Sequence, residues 1–182
     1  MNPMKILITG GAGFIGSALT RYLINNTNHY VMNIDKLIYP ASLFSLKDVK
    51  KSNRYIFEKF DICNNLKLKN IFQKYKPQII FHLAAETHVD TSIHNPHKFI
   101  KTNIIGTYNL LEVTRNYFEE LSNLKKKKFK FIHISTDEVY GDLGLKDLPF
   151  KETNQYKPSS PYSASKASSD HLVQSWGRTF NI

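Results

Sequence analysis

Only one cysteine, Cys63, occurs in the 182 residues, so no internal disulfide can form, and nothing shows the Cys and His spacing of a zinc site. Cys63 reads instead as a small buried apolar side chain. Missing too is any apolar run near the roughly 20 residues of a membrane span. The opening Met1–Ile8 is cut short by Thr9-Gly10-Gly11, too early for a signal peptide, and a cytoplasmic protein is the expectation. There are no internal repeats and no low-complexity segments. Acidic residues are few, 15 Asp and Glu against 25 Lys and Arg, for a net charge of +10. A surplus of that size would suit nucleic acid. The lysines are scattered, however, and the one dense run, Lys125–Lys128, falls between a helical pattern and a strand, where it reads as a solvated loop. Nucleic-acid and membrane partners are therefore not expected. His82, His88, His94 and His97 lie close together but lack carboxylates or cysteines at ligand spacing, so no metal is expected either.

What is present alternates between two periods. Short apolar runs at Lys5–Thr9, His29–Ile34, Tyr55–Glu58, Gln78–Leu83 and Phe129–Ile134 read as strands. Between them lie stretches of helical spacing: Ser17–Ile24, Leu66–Tyr75 capped by Asn64 or Asn65 and ended by Pro77, a long helix from Pro96 to about Leu124, and a last one from Pro161 to Phe180. Gly106 is a weak point in the long helix. Strictly alternating strands and helices predict one α/β domain, a Rossmann-type parallel sheet with helices on both faces and, by analogy, strand order 3-2-1-4-5.

The first strand runs into Gly10-Gly11-Ala12-Gly13-Phe14-Ile15-Gly16, and a helix follows. Glycines at 10, 13 and 16 suit a tight turn, close approach of backbone to a pyrophosphate and close packing of helix on strand, while the free N–H groups of the helix start attract phosphate. The second strand delivers Asp35 roughly 20 residues after that loop, where an acid binds a ribose 2′-hydroxyl. Its carboxylate would repel a 2′-phosphate, so the expected cofactor is NAD rather than NADP, with Lys36 beside it as a complication. Asp61 and Ile62, after the third strand, are assigned to the adenine end. Leu83, Ala84 and Ala85, after the fourth, are assigned to the nicotinamide half.

Two further clusters carry acid/base chemistry. Ser135-Thr136-Asp137-Glu138-Val139-Tyr140-Gly141 begins where the fifth strand ends, at the sheet edge where ligands bind in such folds. Neighbouring side chains in a strand point to opposite faces, so Asp137 and Glu138 can serve one substrate only if the chain has already turned there. In Tyr162-Ser163-Ala164-Ser165-Lys166 a phenol and an ammonium stand at i and i+4, on one helix face. Lys166 would supply the cation a tyrosine needs to act as a base near neutrality, and could hold a nicotinamide ribose.

Taken together, the glycine loop, His82-Leu83-Ala84-Ala85-Glu86, Ser135–Gly141 and Pro158–Lys166 resemble the nucleotide-sugar 4,6-dehydratases of the extended short-chain dehydrogenase/reductase family. The loop and the Tyr-x-x-x-Lys pair are shared with that family's sugar epimerases, whereas Thr-Asp-Glu at the strand end resembles the dehydratases. The resemblance implies a nucleotide-sugar substrate, dTDP-glucose, bound in part by Glu86, His88 and Thr136. It implies Tyr162 as base at the sugar 4-hydroxyl, Glu138 as base at C5, Asp137 as acid at the 6-hydroxyl, Lys166 at the cofactor ribose, and a homodimer built on the helices Pro96–Leu124 and Pro161–Phe180. Thr91 stands where the family commonly has arginine, and Tyr39-Pro40-Ala41-Ser42-Leu43 differs from the usual Tyr-Ala-Gly-Asn-Leu. Members also continue past the position of Ile182 with a further strand and a domain gripping the nucleotide. The expectation is thus the cofactor-binding and catalytic N-terminal part of such an enzyme, with a non-catalytic NAD-binding fragment or an epimerase as the alternatives.

Overall fold

The computed structural model describes residues 2–182. Five parallel strands, β1 (Lys5–Thr9), β2 (Tyr30–Asp35), β3 (Tyr55–Lys59), β4 (Ile79–His82) and β5 (Lys130–His133), form one sheet in the order β3-β2-β1-β4-β5. The middle of β1, Ile6–Ile8, is apolar because both of its faces are covered. Leu7 joins Met32, Ile34, Ile80, Leu68, Phe72 and Leu110 on one side, while Ile6 and Ile8 join Val31, Leu23, Ile24 and Leu46 on the other. The period-two alternation of a strand thus builds two cores from consecutive residues.

Helix α1 (Phe14–Asn26) returns the chain from β1 to β2, and α2 (Asn65–Tyr75) lies between β3 and β4. Asn64 caps α2, its Oδ1 accepting the Lys67 N–H at 3.1 Å. The helix ends at Tyr75 because Lys76, disfavoured as helical by the following Pro77, takes a left-handed φ of 55°. β1 bonds to β2 on one side and β4 on the other. The chain therefore reverses its direction of travel across the sheet between β1 and β4, and the crevice beyond the strand ends at that point is where open α/β sheets bind ligands.

The long helix expected from Pro96 to Leu124 runs without interruption from Pro96 to Glu119 but is widened in its middle. After α3 (Val89–His94) it consists of α4 (Pro96–Phe99), a π-helical stretch over Ile100–Gly106 and α5 (Thr107–Glu119), and a separate short helix, α6 (Asn123–Lys126), follows. The π turns end at Gly106, where a Cβ would come within 2.7 Å of Ile62 Cδ1, so the helix lies closely against the segment after β3. Such widened turns occur often at functional sites, and this one buries Thr102 and Asn103 beside the strand ends. The last helix, α7 (Pro161–Phe180), has the bounds expected of it. Ser160 Oγ accepts the Ser163 N–H at 3.0 Å, Ser163 Oγ accepts the Ser160 N–H at 2.9 Å, and Pro161 occupies the first helical position.

Candidate active site

A cleft of about 440 Å³ follows the C-terminal ends of β2, β1, β4 and β5. Near its middle lies the glycine turn. Gly10 has a φ of +73°, and a Cβ on it would stand 2.6 Å from Ala84 N; one on Gly16 would stand 2.3 Å from Gly10 O. The turn can therefore close only with glycine at both places. No side chain caps the start of α1 at Gly13, so its first N–H groups remain open to an anion. Phe14 and Ile15, 94% and 59% exposed despite their apolar character, line the cleft together with Gly10, Gly13 and Gly16.

At one end stands Asp35, buried, its Oδ2 accepting the Ala12 N–H at 3.0 Å and its Oδ1 the Leu37 N–H at 2.8 Å. These bonds orient the carboxylate. Lys36 turns away from it, donating to Glu86 Oε1 at 2.7 Å and Thr102 Oγ1 at 3.2 Å, with Asp61 Oδ2 at 3.9 Å. Asp61, Ile62, Leu83, Ala84, Ala85, Glu86 and His88 also line the cleft. Glu86 is fixed from both sides: its side chain meets Lys36, its N–H donates to Asn103 Oδ1 at 2.8 Å and its carbonyl accepts from Asn103 Nδ2 at 3.0 Å. His88 caps α3, its ring accepting the Thr91 N–H at 3.5 Å.

The opposite end holds Tyr162 and Lys166, one turn apart on α7 and both buried. Strand β5 has ended at His133, and residues Asp137–Tyr140 form a single 3₁₀ turn capped by Thr136, whose Oγ1 accepts the Glu138 N–H at 3.3 Å. The change of direction needed for Asp137 and Glu138 to serve one substrate is thus present. Thr136, Asp137 and Glu138 stand beside the residues that line the cleft rather than among them. Both carboxylates are nonetheless near enough to act on Tyr162. Burial pushes the phenol above its usual range, the Thr136 hydroxyl pulls it back, and Glu138 and Asp137 push it up again. Lys166 lies one turn from the phenol on the same face of α7, as its spacing requires, and makes its own hydrogen bond to the backbone. The ammonium donates to Ile134 O at 2.6 Å, and burial pushes its pKa down to about 8 against the opposing pull of Asp170. Burial, with Asp137 and Asp142, raises the Glu138 carboxyl.

Sequence reasoning missed Asp170, His133 and Tyr156. Asp170 Oδ2 accepts from Ser135 Oγ at 2.5 Å and Tyr156 Oη at 3.0 Å, and its Oδ1 lies 3.1 Å from His133 Nε2. The available signal was spacing: Asp170 follows Tyr162 and Lys166 at the next i+4 step of the same helix. Thr102 and Asn103 were missed because a regular helix was assumed through the π segment. Among the described residues, no three His, Cys, Asp or Glu side chains are grouped to hold a metal ion. No described helix is long and apolar enough to cross a membrane.

A glycine turn at the reversal point of a five-stranded parallel sheet, leading to a Tyr-x-x-x-Lys helix at the far end of one cleft, defines a Rossmann-type protein of the short-chain dehydrogenase/reductase kind. Within that class the chain belongs to the GDP-mannose 4,6-dehydratase family, whose model matches residues 7–182. It is 58% identical to a dTDP-glucose 4,6-dehydratase of Haemophilus influenzae over 179 residues, 98% of this chain and 53% of that protein. A solved dTDP-glucose 4,6-dehydratase of Streptomyces venezuelae, with NAD bound, superposes with a TM-score of 0.87 at 34% identity, over 98% of this chain and 53% of that one. A UDP-glucose 4-epimerase of Thermotoga maritima superposes with a TM-score of 0.83 at 33% identity, over the same shares of the two chains. The chain thus spans about half the length of the relatives it matches.

Proposed function

We propose that this chain carries the cofactor-binding and catalytic half of an NAD-dependent dehydratase that converts dTDP-glucose to dTDP-4-keto-6-deoxyglucose, in the cytoplasm and as a homodimer. The observation that carries the reading is the meeting of Tyr162, Lys166 and the Thr136–Glu138 turn at one end of a cleft whose other end is Asp35. The similarity to dTDP-glucose 4,6-dehydratases supports the substrate.

The residues fit NAD. The cradle closes only with glycine at 10 and 16, α1 begins uncapped, and a carboxylate held by two backbone N–H groups lies where an adenosine ribose needs an acceptor. In this reading Asp35 holds that ribose, Gly10, Gly13, Phe14, Ile15 and Gly16 the pyrophosphate, Asp61, Ile62 and Lys36 the adenine side, Leu83, Ala84 and Ala85 the nicotinamide half, and Lys166 its ribose. When bound, NAD supplies a hydride acceptor that returns the hydride within the same turnover.

The chain's own groups supply the proton transfers. Tyr162 takes the proton of the sugar 4-hydroxyl, with Thr136 hydrogen-bonded to the same oxygen. Lys166, with a pKa near 8, is mostly an ammonium at neutral pH and stabilises the phenolate that Tyr162 must form. Once C4 is a ketone its C5 hydrogen is acidic, and Glu138, whose raised pKa makes it a better base than an ordinary carboxylate, removes it. Asp137 donates a proton to the 6-hydroxyl, which departs as water. Glu86 and His88 complete the substrate wall. An epimerase needs no acid for a leaving hydroxyl, so the Asp137-Glu138 pair favours dehydration. For the dimer, the support is the exposure of Ile105 and Tyr108 where the π segment meets α5.

Calorimetric titration with NAD, product analysis with dTDP-glucose and light scattering test these statements in turn. NAD binding with release of a 4-keto-6-deoxy sugar supports the whole reading. Binding without product confines it to the cofactor half, absence of binding overturns it, and a monomeric mass removes the dimer.

A further inference from the structure

Behind Lys166 lies a buried polar cluster, of which the reaction described above uses Lys166 alone. Lys166 and Asp170 stand one turn apart on the inner face of α7, 4% and 5% exposed. Between them is the ring of His133, the last residue of β5, with Nε2 at 3.4 Å from Lys166 Nζ and 3.1 Å from Asp170 Oδ1. Burial keeps that ring neutral near pH 7 by lowering its pKa. An ammonium and a carboxylate this deeply buried are each costly alone and tolerable together. The other oxygen of Asp170 accepts from two hydroxyls on separate segments: Ser135 Oγ at 2.5 Å, at the start of the acidic turn, and Tyr156 Oη at 3.0 Å, in the loop before α7.

We propose that Asp170 is the positioning residue of this site, the buried countercharge that keeps Lys166 an ammonium and the anchor that fixes Ser135 at the start of the Thr136–Glu138 turn. The inference rests on the reading of Lys166 as the group that holds the cofactor ribose. It adds a carboxylate that touches neither cofactor nor substrate and acts through Lys166 and Ser135. Charge balance supports it: among the groups acting on Lys166, burial lowers its pKa and Asp170 raises it. The titratable groups around Lys166 are Tyr162 and Asp170 on α7, His133 on β5, His82 on β4, Asp137 and Glu138 on the turn, and Tyr156 on the loop. His82 is held neutral by burial, and so are Tyr156 and Tyr162 near pH 7, their phenols being pushed up by burial. Asp137 and Glu138 lie on the Tyr162 side, leaving Asp170 as the carboxylate on the buried side.

The test is an NMR titration of the Lys166 side chain in the wild-type chain and in Asp170→Asn, with NAD affinity measured over the same pH range. The expected result is a Lys166 midpoint that moves from near pH 8 to lower pH by about one unit in Asp170→Asn and returns in Asp170→Glu. NAD affinity should fall with the same midpoints. A purely structural role for Asp170 would weaken binding at every pH and leave the midpoint where it was, and an unchanged Lys166 midpoint in folded Asp170→Asn overturns the proposal. If Asp170→Asn does not fold, the Asp170 carboxyl carbon in the wild type decides: it must shift through the Lys166 titration, and a flat signal is equally fatal. Failure of the wild type to bind NAD overturns the cofactor reading instead, and is distinguishable because the Lys166 midpoints are measured without NAD.

Discussion

Lys36 Nζ lies 2.7 Å from Glu86 Oε1, joining the residue after β2 to the segment after β4. That pairing bears on which dinucleotide the cleft prefers. A lysine next to Asp35 could have received a 2′-phosphate, but its ammonium is already shared by Glu86, Thr102 and Asp61. The Asp35 carboxylate therefore dominates that corner and repels a second negative charge. NAD is expected to bind at least about tenfold more tightly than NADP. Asp35→Ala should narrow the ratio. Lys36→Ala should weaken both cofactors by a similar factor, because it leaves Glu86 without its cation. Dissociation constants for the two dinucleotides in the three proteins check this, and a loss confined to NADP in Lys36→Ala would show that the lysine does serve the phosphate.

The glycines of the turn separate folding from binding. A Cβ at Gly16 meets the Gly10 carbonyl oxygen at 2.3 Å and Gly11 Cα at 2.7 Å, both backbone atoms that cannot swing aside, whereas one at Gly13 meets Gly10 O at 3.3 Å and nothing closer. Gly16→Ala should cost about 1–3 kcal/mol of stability. Gly13→Ala should unfold close to the wild-type urea midpoint yet lose NAD affinity, since its new methyl group occupies space on the cleft wall. Equal destabilisation by both substitutions would contradict this division.

How far the sequence discloses this site depends on the range of the interactions involved. The glycine turn, Asp35 and the Tyr162–Lys166 pair are local patterns, each confined to a single strand, turn or helix, and spacing alone exposes them. Alternation of strands and helices exposes the parallel sheet, while the strand order comes only by analogy with other such folds. The π segment left no such trace: its pattern of buried Thr102, Asn103 and Gly106 also fits an α-helix, and the close packing of Gly106 on Ile62 joins residues 44 positions apart. The partners of Lys36 and Asp170 are further still from legibility, since Glu86 lies 50 positions from Lys36 and Ser135 35 positions from Asp170. A charge beside a binding residue is visible in a sequence, but where its side chain is spent is set by tertiary contact.

Lys166 should leave a signature in the pH dependence of stability. Its pKa is about 8 when folded against 10.5 for an unburied lysine, so between these values the unfolded chain binds more protons and stability rises with pH. Below pH 8 the cost of burying the charge is present in full. Cys63 acts the other way: burial raises its thiol from 9.0 to about 11, so its contribution is lost as pH climbs past 9. Tyr75, Tyr117 and Tyr162, with phenols raised by burial, follow above pH 10. These contributions cancel in the difference between wild type and Lys166→Met. Urea unfolding from pH 7 to 10 should give a stability difference between Lys166→Met and wild type that is constant below about pH 8 and moves in favour of the wild type above it, by at most about 1.4 kcal/mol per pH unit. A pH-independent difference would place the ammonium in a better-solvated setting than the structure gives it.

Glu138 offers the sharpest test of the division of labour between the two adjacent acids. If Glu138 removes the C5 hydrogen, Glu138→Gln in a form of the protein that shows turnover should stop exchange of that hydrogen with solvent by a factor of at least about 100. Oxidation at C4, which depends on Tyr162, should persist and can be followed by the absorbance of the reduced cofactor. The pH dependence carries a second signature. A base must be ionised, and burial with Asp137 and Asp142 holds the Glu138 carboxyl above its usual 4.5, so exchange should fade with falling pH at a midpoint above that value. Asp142→Asn removes one of the two neighbouring charges and should move the midpoint down. Exchange that survives Glu138→Gln and disappears in Asp137→Asn would exchange the two roles, making Asp137 the base and Glu138 the acid at the departing hydroxyl.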